Sequence, residues 1–534
     1  MSGLIGTALS GLMAAQTALN TASNNIANAN TVGYNTERVN FSSTPAIPTS
    51  GGYVGQGVNT ATVTRSYNQL ITNQLTSTTS AYAQANTLST LAFGVDKTLS
   101  SQTTGLSAVF SAFSSATTGV ANDPTSVPAR QAMLSAAGSV TQQVNSLSSQ
   151  LGTLTAQTNA QIQAGVNNIN GYATSIAALN GQIVAVNNGS SGGQLPNGLL
   201  DQRNALVAKI AQQANVSTIT QSNGSINVYI GNGQSLVSDS IVSPLSVATS
   251  STDPSNSAVL MGGQDVSSQI TGGELAGALN FQSQVLNPAR QQLGWVAVGF
   301  SEQMNTAQAA GYDLSGNAGT AMFSTGTPTV IPNAANTGSI STTYDPTTLG
   351  QLTPSDYQLS YNGASYTLTQ LSNNTVTNPV PTGAPLTIAG PGFDINVASI
   401  QANDSYLIRP TFDAAKNMTA VMTDPTLIAA AATNNPGSPG PPVIPMTPNP
   451  GDNTNALTMA NLGKTPVLQG GTATVNDAYN QLVTHVGNVT QSSTLNSAAQ
   501  QAALACACQR KTNAAQSKRA QISHWVRCSL LPRA

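Results

Sequence analysis

Residues 133–186 read MLSAAGSV TQQVNSLSSQ LGTLTAQTNA QIQAGVNNIN GYATSIAALN GQIVAV, without one charged side chain. Met133, Ala137, Val140, Val144, Leu147, Leu151, Leu154 and Thr158 recur at alternating steps of four and three. That is the stripe of a helix packed along its length against others. The rhythm slips by one residue to Ile162, then resumes through Gly165, Ile169, Tyr172, Ile176, Leu179, Ile183 and Val186. Such a slip changes the local supercoil without ending the helix. An unbroken helix here would rise about 80 Å, with Gly152, Gly165, Gly171 and Gly181 as points of interruption. The stretch predicts a rod.

Both chain ends carry the same rhythm. Ile5, Ala8, Leu12, Ala15, Leu19, Ala22 and Ile26 step by three and four over three heptads. Val475, Tyr479, Leu482, Val486 and Val489 repeat it within a helical segment at 473–505. The first charge of any kind is Glu37. Nothing on the first helix therefore repels a neighbouring copy, and Ile5, Leu12, Leu19 and Ile26 read as an assembly seam. A face on the protein's own core is the plainer placement. Membrane insertion lacks the basic polar face that it needs.

Period-two patterning interrupts the rod twice. Residues 225–230, Ser-Ile-Asn-Val-Tyr-Ile, lie between Asn-Gly and Gly-Asn-Gly turns. A second β-like region spans 355–408, with a turn at Asn362-Gly363. Seven prolines fall within 435–451 and predict an extended loop. The fold class is mainly α with β insertions: a long helical rod built from both chain ends and carrying small β modules. The boundaries read 1–60 for a terminal helix and loop, 61–215 for the first part of the rod, and 216–272 for a β-rich segment. A helical return and linker occupies 273–345, an inserted β module 346–410, the last part of the rod 411–505, and an atypical tail 506–534.

Composition narrows the function classes. Charged residues make only 6% of the 534, against about 25% in ordinary soluble domains. Such a surface suits dense packing of copies and leaves few groups for acid–base chemistry. Six of the 16 basic residues follow Asp477, the last acid, and all three cysteines lie at 506–528. A basic nucleic-acid domain is thus excluded over most of the length, as is a disulfide framework. No apolar run spans a bilayer, and the uncharged first residues do not form a Sec-type signal.

The loop after the first helix is more specific. Ser23-Asn24-Asn25-Ile26-Ala27-Asn28-Ala29-Asn30-Thr31-Val32-Gly33-Tyr34 contains residues suited to a helix stop and a turn. As a whole it resembles the amino-terminal signature of bacterial flagellar rod, hook and hook-associated axial proteins. The residues that carry it are Asn25, Ile26, Ala27, Asn28, Asn30, Thr31, Gly33 and Tyr34. Leu199-Leu200-Asp201-Gln202-Arg203-Asn204-Ala205-Leu206-Val207 is similar to a segment of the hook-associated protein 1 family, as are Gly272–Gly277, Leu286–Ala289, Gly311–Gly316, Asp404–Thr411 and Gly451–Asn453. Each is ordinary alone; their order along the chain is the signal.

The resemblance implies a secreted structural subunit at the hook–filament junction, with both termini in the innermost layer. It implies as partners copies of the chain, the hook protein, a neighbouring hook-associated protein on the filament side, an export chaperone and the flagellar type III export apparatus. Another rod or hook axial protein, or a secreted surface adhesin, is the alternative. No cofactor, nucleic acid or stable membrane insertion is implied.

Catalysis finds no foothold. His485 is the sole histidine before the tail, and no Gly-x4-Gly-Lys-Ser/Thr phosphate loop occurs. Cys506, Cys508, His524 and Cys528 form a weak zinc pattern, since Cys-x-Cys is less typical than Cys-x-x-Cys. Relatives by resemblance end in a second amphipathic helix. Here residues 506–534 are basic and aperiodic. A reading-frame slip near residue 505 and a genuine divergent tail both account for the change. Either predicts a terminal layer left without its partner and disordered in the monomer.

Overall fold

The structure, a computed structural model, describes all residues except 1, 32, 101–104, 190–195, 251–252, 384–385, 433–450 and 530–534. Side chains at 2–3 and 514–529 are likewise outside the description. The Pro-rich stretch expected to form an extended loop, 435–451, lies outside the described residues except at Gly451.

Helix α1 (Ser2–Ala27) leads into a hairpin of strands β1 (Glu37–Ser43) and β4 (Val58–Arg65), with β2 (Ile47–Thr49) and β3 (Gly52–Val54) at its tip. The sequence reading placed no strands here. The cause is visible in the residues: Val39, Phe41, Val58 and Val63 are β-formers spaced among Asn, Ser and Thr, so the alternation is faint. Then come α2 (Gln69–Leu99), α3 (Leu106–Asn122), α4 (Val127–Gly189) and α5 (Asn197–Gln213). Asn68 caps α2, accepting from the Ile71 N–H at 3.2 Å.

Helix α4 runs unbroken for 63 residues, about 95 Å. Its glycines do not interrupt it, because packing on both flanks outweighs a propensity cost of about 1 kcal/mol each. Its buried face passes through Leu151, Thr155, Thr158, Ile162, Val166, Ile169, Ala173, Ile176, Asn180 and Ile183. The apparent slip is therefore one of lettering. Thr155, Ala173 and Asn180 occupy seam positions that apolar counting gave to Leu154, Tyr172 and Leu179.

A first β region follows α5. Strands β5 (Val216–Thr220), β6 (Ile226–Ile230), β7 (Gln234–Ser238) and β8 (Ile241–Val242) form one antiparallel sheet in that order. Strands β9 (Leu245–Thr249), β10 (Ser257–Met261) and β11 (Gln264–Asp265) form another. Val228, Ile230, Val237 and Val259 bury against Ile162, Ile169 and Ile176 of α4 in one core.

The chain returns through α6 (Gly273–Phe281) and α7 (Asn287–Ala309), joined by a π-helical turn at Gln282–Leu286. Two short strands, β12 (Gly311–Tyr312) and β13 (Phe323–Ser324), precede the inserted module. That module contains β14 (Thr329–Pro332), β15 (Ser339–Tyr344), β16 (Tyr357–Tyr361), β17 (Tyr366–Gln370), β18 (Thr375–Thr377), β19 (Leu386–Gly390), β20 (Phe393–Ser399) and β21 (Ser405–Arg409). They form sheets ordered β14-β21-β16-β17-β18 and β15-β20-β19. Tyr357 and Phe393 meet edge to face at 5.3 Å, one ring from each sheet. The strands thus begin at Thr329 instead of the expected 346, since β14 and β15 complete the two sheets.

After α8 (Ala414–Asn417), strands β22 (Thr419–Ala420) and β23 (Ala431–Ala432) pair back onto β13 and β12. Helices α9 (Thr454–Asn461) and α10 (Val475–Ser529) finish the rod. Thr474 and Asp477 form a reciprocal cap at the start of α10. Helix α10 lies antiparallel on α2: Tyr479 Oη donates to Leu99 O at 2.7 Å, Ser89 and Thr494 hydroxyls meet at 3.0 Å, and Arg510 Nη1 donates to Gln74 Oε1 at 3.4 Å. Leu482 and Val486 join Val95, Leu99, Phe110, Trp295 and the first half of α4 in a second core.

The tail differs from expectation. Backbone helix continues past residue 505 to Ser529, and Ala507 is buried. Aperiodic lettering does not forbid a helix. The segment is rich in Ala, Gln, Lys and Arg and contains no Gly or Pro before Pro532, so propensity favours continuation. Helix α1 is likewise ordered, not disordered as expected.

Candidate assembly site

Helix α1 has two faces, and its own hairpin takes the less apolar one. Ala14 and Thr21 are buried, with Ser10, Thr17 and Asn25 half-buried along the same side. The Val58 N–H donates to Ser10 Oγ at 3.2 Å, and a side chain at Gly57 would strike that oxygen. The seam predicted from sequence points away. Ile5, Leu12, Leu19 and Ile26 are 68%, 67%, 71% and 77% exposed. Leu4, Leu9 and Met13 widen the stripe. Together these side chains leave an uncharged apolar stripe exposed along one side of the helix.

The signature loop fixes where that helix stands. Tyr34 Oη donates to Asn25 Oδ1 at 2.8 Å, and the same oxygen accepts the Glu37 N–H at 2.8 Å. Asn25 Nδ2 returns a bond to Glu37 O at 2.9 Å. One asparagine thereby ties the end of α1 to the first residue of β1. Burial, together with the charges of Glu37 and Asp201, pushes the Tyr34 phenol up, keeping it a donor. Asn28 Nδ2 bonds Asn24 O and Oδ1, and Thr31 Oγ1 donates to Asn28 Oδ1 at 3.1 Å. Ala27 and Asn30 are exposed. Val32 lies outside the described residues.

Gly33 turns at φ +89°, and a Cβ there would lie 3.1 Å from Ala205 Cβ. That contact belongs to α5, so two segments singled out from sequence meet in space. Asp201 is the junction. It accepts from Asn35 N at 2.8 Å, Asn35 Nδ2 at 2.7 Å and Arg65 Nη1 at 2.9 Å. Two residues on, Arg203 is 3% exposed and donates Nη1 to Asn180 Oδ1 at 3.0 Å and Gly224 O at 2.8 Å. Asn180 also holds the Ile226 N–H and C=O. The Asp-Gln-Arg triplet thus joins the terminal loop on one side to α4 and β6 on the other. Asp201 and Arg203 face different partners and do not pair with each other.

Asn24, Asn35, Glu37, Arg65 and Asn180 complete this network and were missed by sequence reading. A polar residue's partner across 136 or 166 positions leaves no local trace.

Elsewhere, His485 Nε2 lies 3.3 Å from Gln284 O, on an open helix face. Cys506 and Cys508 are free and exposed, while the side chains of His524 and Cys528 lie outside the described residues. Among the described residues no group of three metal-type ligands converges, and no helix is long and apolar enough to cross a membrane.

Comparison with known proteins agrees with this geometry. A model of the flagellar hook-associated protein FlgK helical domain matches residues 94–323, one of a hook-associated protein 1 D2-like domain matches 331–410, and one of flagella basal body rod proteins matches 5–35. Flagellar hook-associated protein 1 of Escherichia coli is 33% identical over 507 residues, covering 94% of this chain and 90% of that protein. The Salmonella typhimurium protein of the same name is 32% identical, covering 92% and 88%. The solved structure of the flagellar hook junction protein FlgK from Burkholderia pseudomallei superposes with a TM-score of 0.73 at 27% identity, over 82% of this chain and 99% of that one. The chain belongs to the flagellar hook-associated protein 1 family.

Proposed function

We propose that this chain is a non-enzymatic structural subunit of the bacterial flagellum, exported from the cell and built into the junction between hook and filament. The observation that carries the reading is the orientation of α1: its small and polar side is spent on its own hairpin, and its uncharged apolar seam is left open. Packing that seam among copies and kin in an inner layer buries four large side chains per subunit, each worth about 1.5–3 kcal/mol. The low charge of the whole surface suits the same end. Partners on this reading are further copies of the chain, the hook protein beneath, and a second hook-associated protein toward the filament. An export chaperone and the flagellar type III apparatus deliver the chain. Helices α2 to α5, α7 and α10 form the load-bearing rod, and the inserted module at 329–409 faces outward.

Immunogold labelling of isolated flagella tests the reading. A band at the hook–filament boundary supports it. Label along the rod or hook assigns the chain to another axial position, and label over the cell surface favours an adhesin.

A further inference from the structure

A cavity of about 200 Å³ opens beside the Asp201 junction, between the first turns of α2, the middle of α5 and the edge strand β5. Arg65, Tyr67, Thr72, Thr76, Arg203 and Asn204 are among its walls. That wall is unbalanced in charge. Asp201 neutralises Arg65, whereas both acceptors of Arg203 Nη1 are neutral oxygens. All 18 acidic residues fall within the described part of the chain, and among them no ion pair reaches Arg203. Arg203 Nε and Asn204 Nδ2 are buried without an acceptor. A buried cation with unused donors is costly unless something negative completes it. Burial and the nearby Arg65 charge push the guanidinium down to about 10, the same imbalance seen from its proton.

We infer that this cavity is an oxyanion site, taking a carboxylate or a phosphate-type group that completes the Arg65–Asp201–Arg203 cluster. Guanidinium and amide donors match oxygen acceptors in geometry as well as charge. The volume is below the roughly 300–1,000 Å³ of ordinary small-molecule pockets, which suits a compact group and not a nucleotide. The hydroxyls of Thr72 and Thr76 are spent on Asn68 O and Thr72 O, so the donors for an anion come from Arg203 and Asn204 and not from α2. Because the walls come from the hairpin end, α2 and α5, an anion bound here braces the terminal layer against the rod. The anion has two sources: a free inorganic ion, or a carboxylate side chain of an adjacent copy, the latter resting on the assembly reading above.

Thermal unfolding of the full soluble chain in phosphate against chloride, at matched pH and ionic strength, tests the site. A free-ion site gives a saturable rise in Tm of a few degrees. Thr76→Glu, which supplies a carboxylate from α2, then raises Tm in chloride and abolishes the phosphate response. Arg203→Gln abolishes it too; should that variant fail to fold, Thr76→Glu decides alone. If the carboxylate comes from an adjacent copy, the monomer ignores phosphate, Thr76→Glu still raises its Tm, and the variant is lost from flagella. The monomer readout does not depend on assembly, so a failed assembly reading leaves it intact. Two results overturn the site: a phosphate response that persists in either variant, or no response together with a Thr76→Glu that leaves Tm unchanged or lowers it.

Discussion

Arg409 and Asp253, 156 positions apart in the chain, meet through two parallel hydrogen bonds, Nη1 to Oδ1 at 2.8 Å and Nη2 to Oδ2 at 3.1 Å. Asp253 sits in the turn between β9 and β10, and Arg409 ends β21, so the pair ties the first β region to the inserted module. Arg409 Nε also donates to Asp356 Oδ2 at 3.0 Å, and its guanidinium lies 3.3 Å from the Phe412 ring centre. Arg409 is almost fully buried. Asp253→Ala leaves that cation with one carboxylate, Asp356, beside the Ser255 hydroxyl and the Phe412 ring, a loss of about 3–5 kcal/mol. Calorimetry of the variant should show the inserted module unfolding separately from the rod, where the parent shows joint unfolding.

Asp356 gives the same cluster a pH dependence. Burial raises its carboxyl from 3.8 to about 6, against the pull of Arg409. Between about pH 4 and 6 the folded chain holds a proton that the unfolded chain has released, so this group adds stability as pH falls and withdraws it as pH rises. At pH 4.5 the contribution is about 2 kcal/mol relative to pH 7, at 1.36 kcal/mol per unit. The unfolding free energies of the parent and Asp356→Asn, from urea titrations, should differ in pH slope by about that amount over this interval, the parent losing more stability as pH rises. Equal slopes would refute it.

Leu12→Asp and Leu19→Asp should leave the monomer's thermal transition within about 0.5 kcal/mol, since both side chains are exposed. Incorporation into flagella should fail, because assembly would bury an unpaired charge. Ala14→Asp is the control on the opposite face: it should detach α1 from the hairpin and speed proteolysis at Arg38. Loss of the global transition in the seam variants would place that seam in the chain's own core.

Asp201→Ala removes the acceptor of three hydrogen bonds and strands Arg65, which is mostly buried. A loss of about 2–4 kcal/mol is expected, with faster hydrogen exchange at Asn35. Gly33→Ala should act in the same direction and more weakly, from positive φ and the Ala205 contact.

Gly294 on α7 marks where the rod meets the chain leaving the inserted module. A Cβ there would lie 1.6 Å from Thr411 O, a backbone atom that cannot swing aside. Gly294→Ala should cost more than about 3 kcal/mol, at the upper end for single substitutions. Tyr479→Phe, which deletes the bond to Leu99 O and the one with the Leu106 backbone, should cost about 1–2 kcal/mol. Chemical denaturation of the two variants checks the order.

The sequence by itself determined that this chain is a helical rod with β insertions, because helix packing writes its period into every third and fourth letter. The apolar stripe through Ile5, Leu12, Leu19 and Ile26 was legible for that reason, and the strand at 226–230 and the Asn362-Gly363 hairpin were legible from period-two alternation and turn residues. The tertiary structure alone decided the rest. Thr155, Ala173 and Asn180 belong to the buried face of α4 though only one is apolar, since a seam position is set by what packs there and not by hydropathy. The β1–β4 hairpin hid behind Ser, Thr and Asn, whose strand preference depends on the partner strand. Above all, Asn25 and Tyr34 with Glu37, and Asp201 with Asn35 and Arg65, are pairings that local spacing does not encode; only the folded chain brings them within hydrogen-bonding reach.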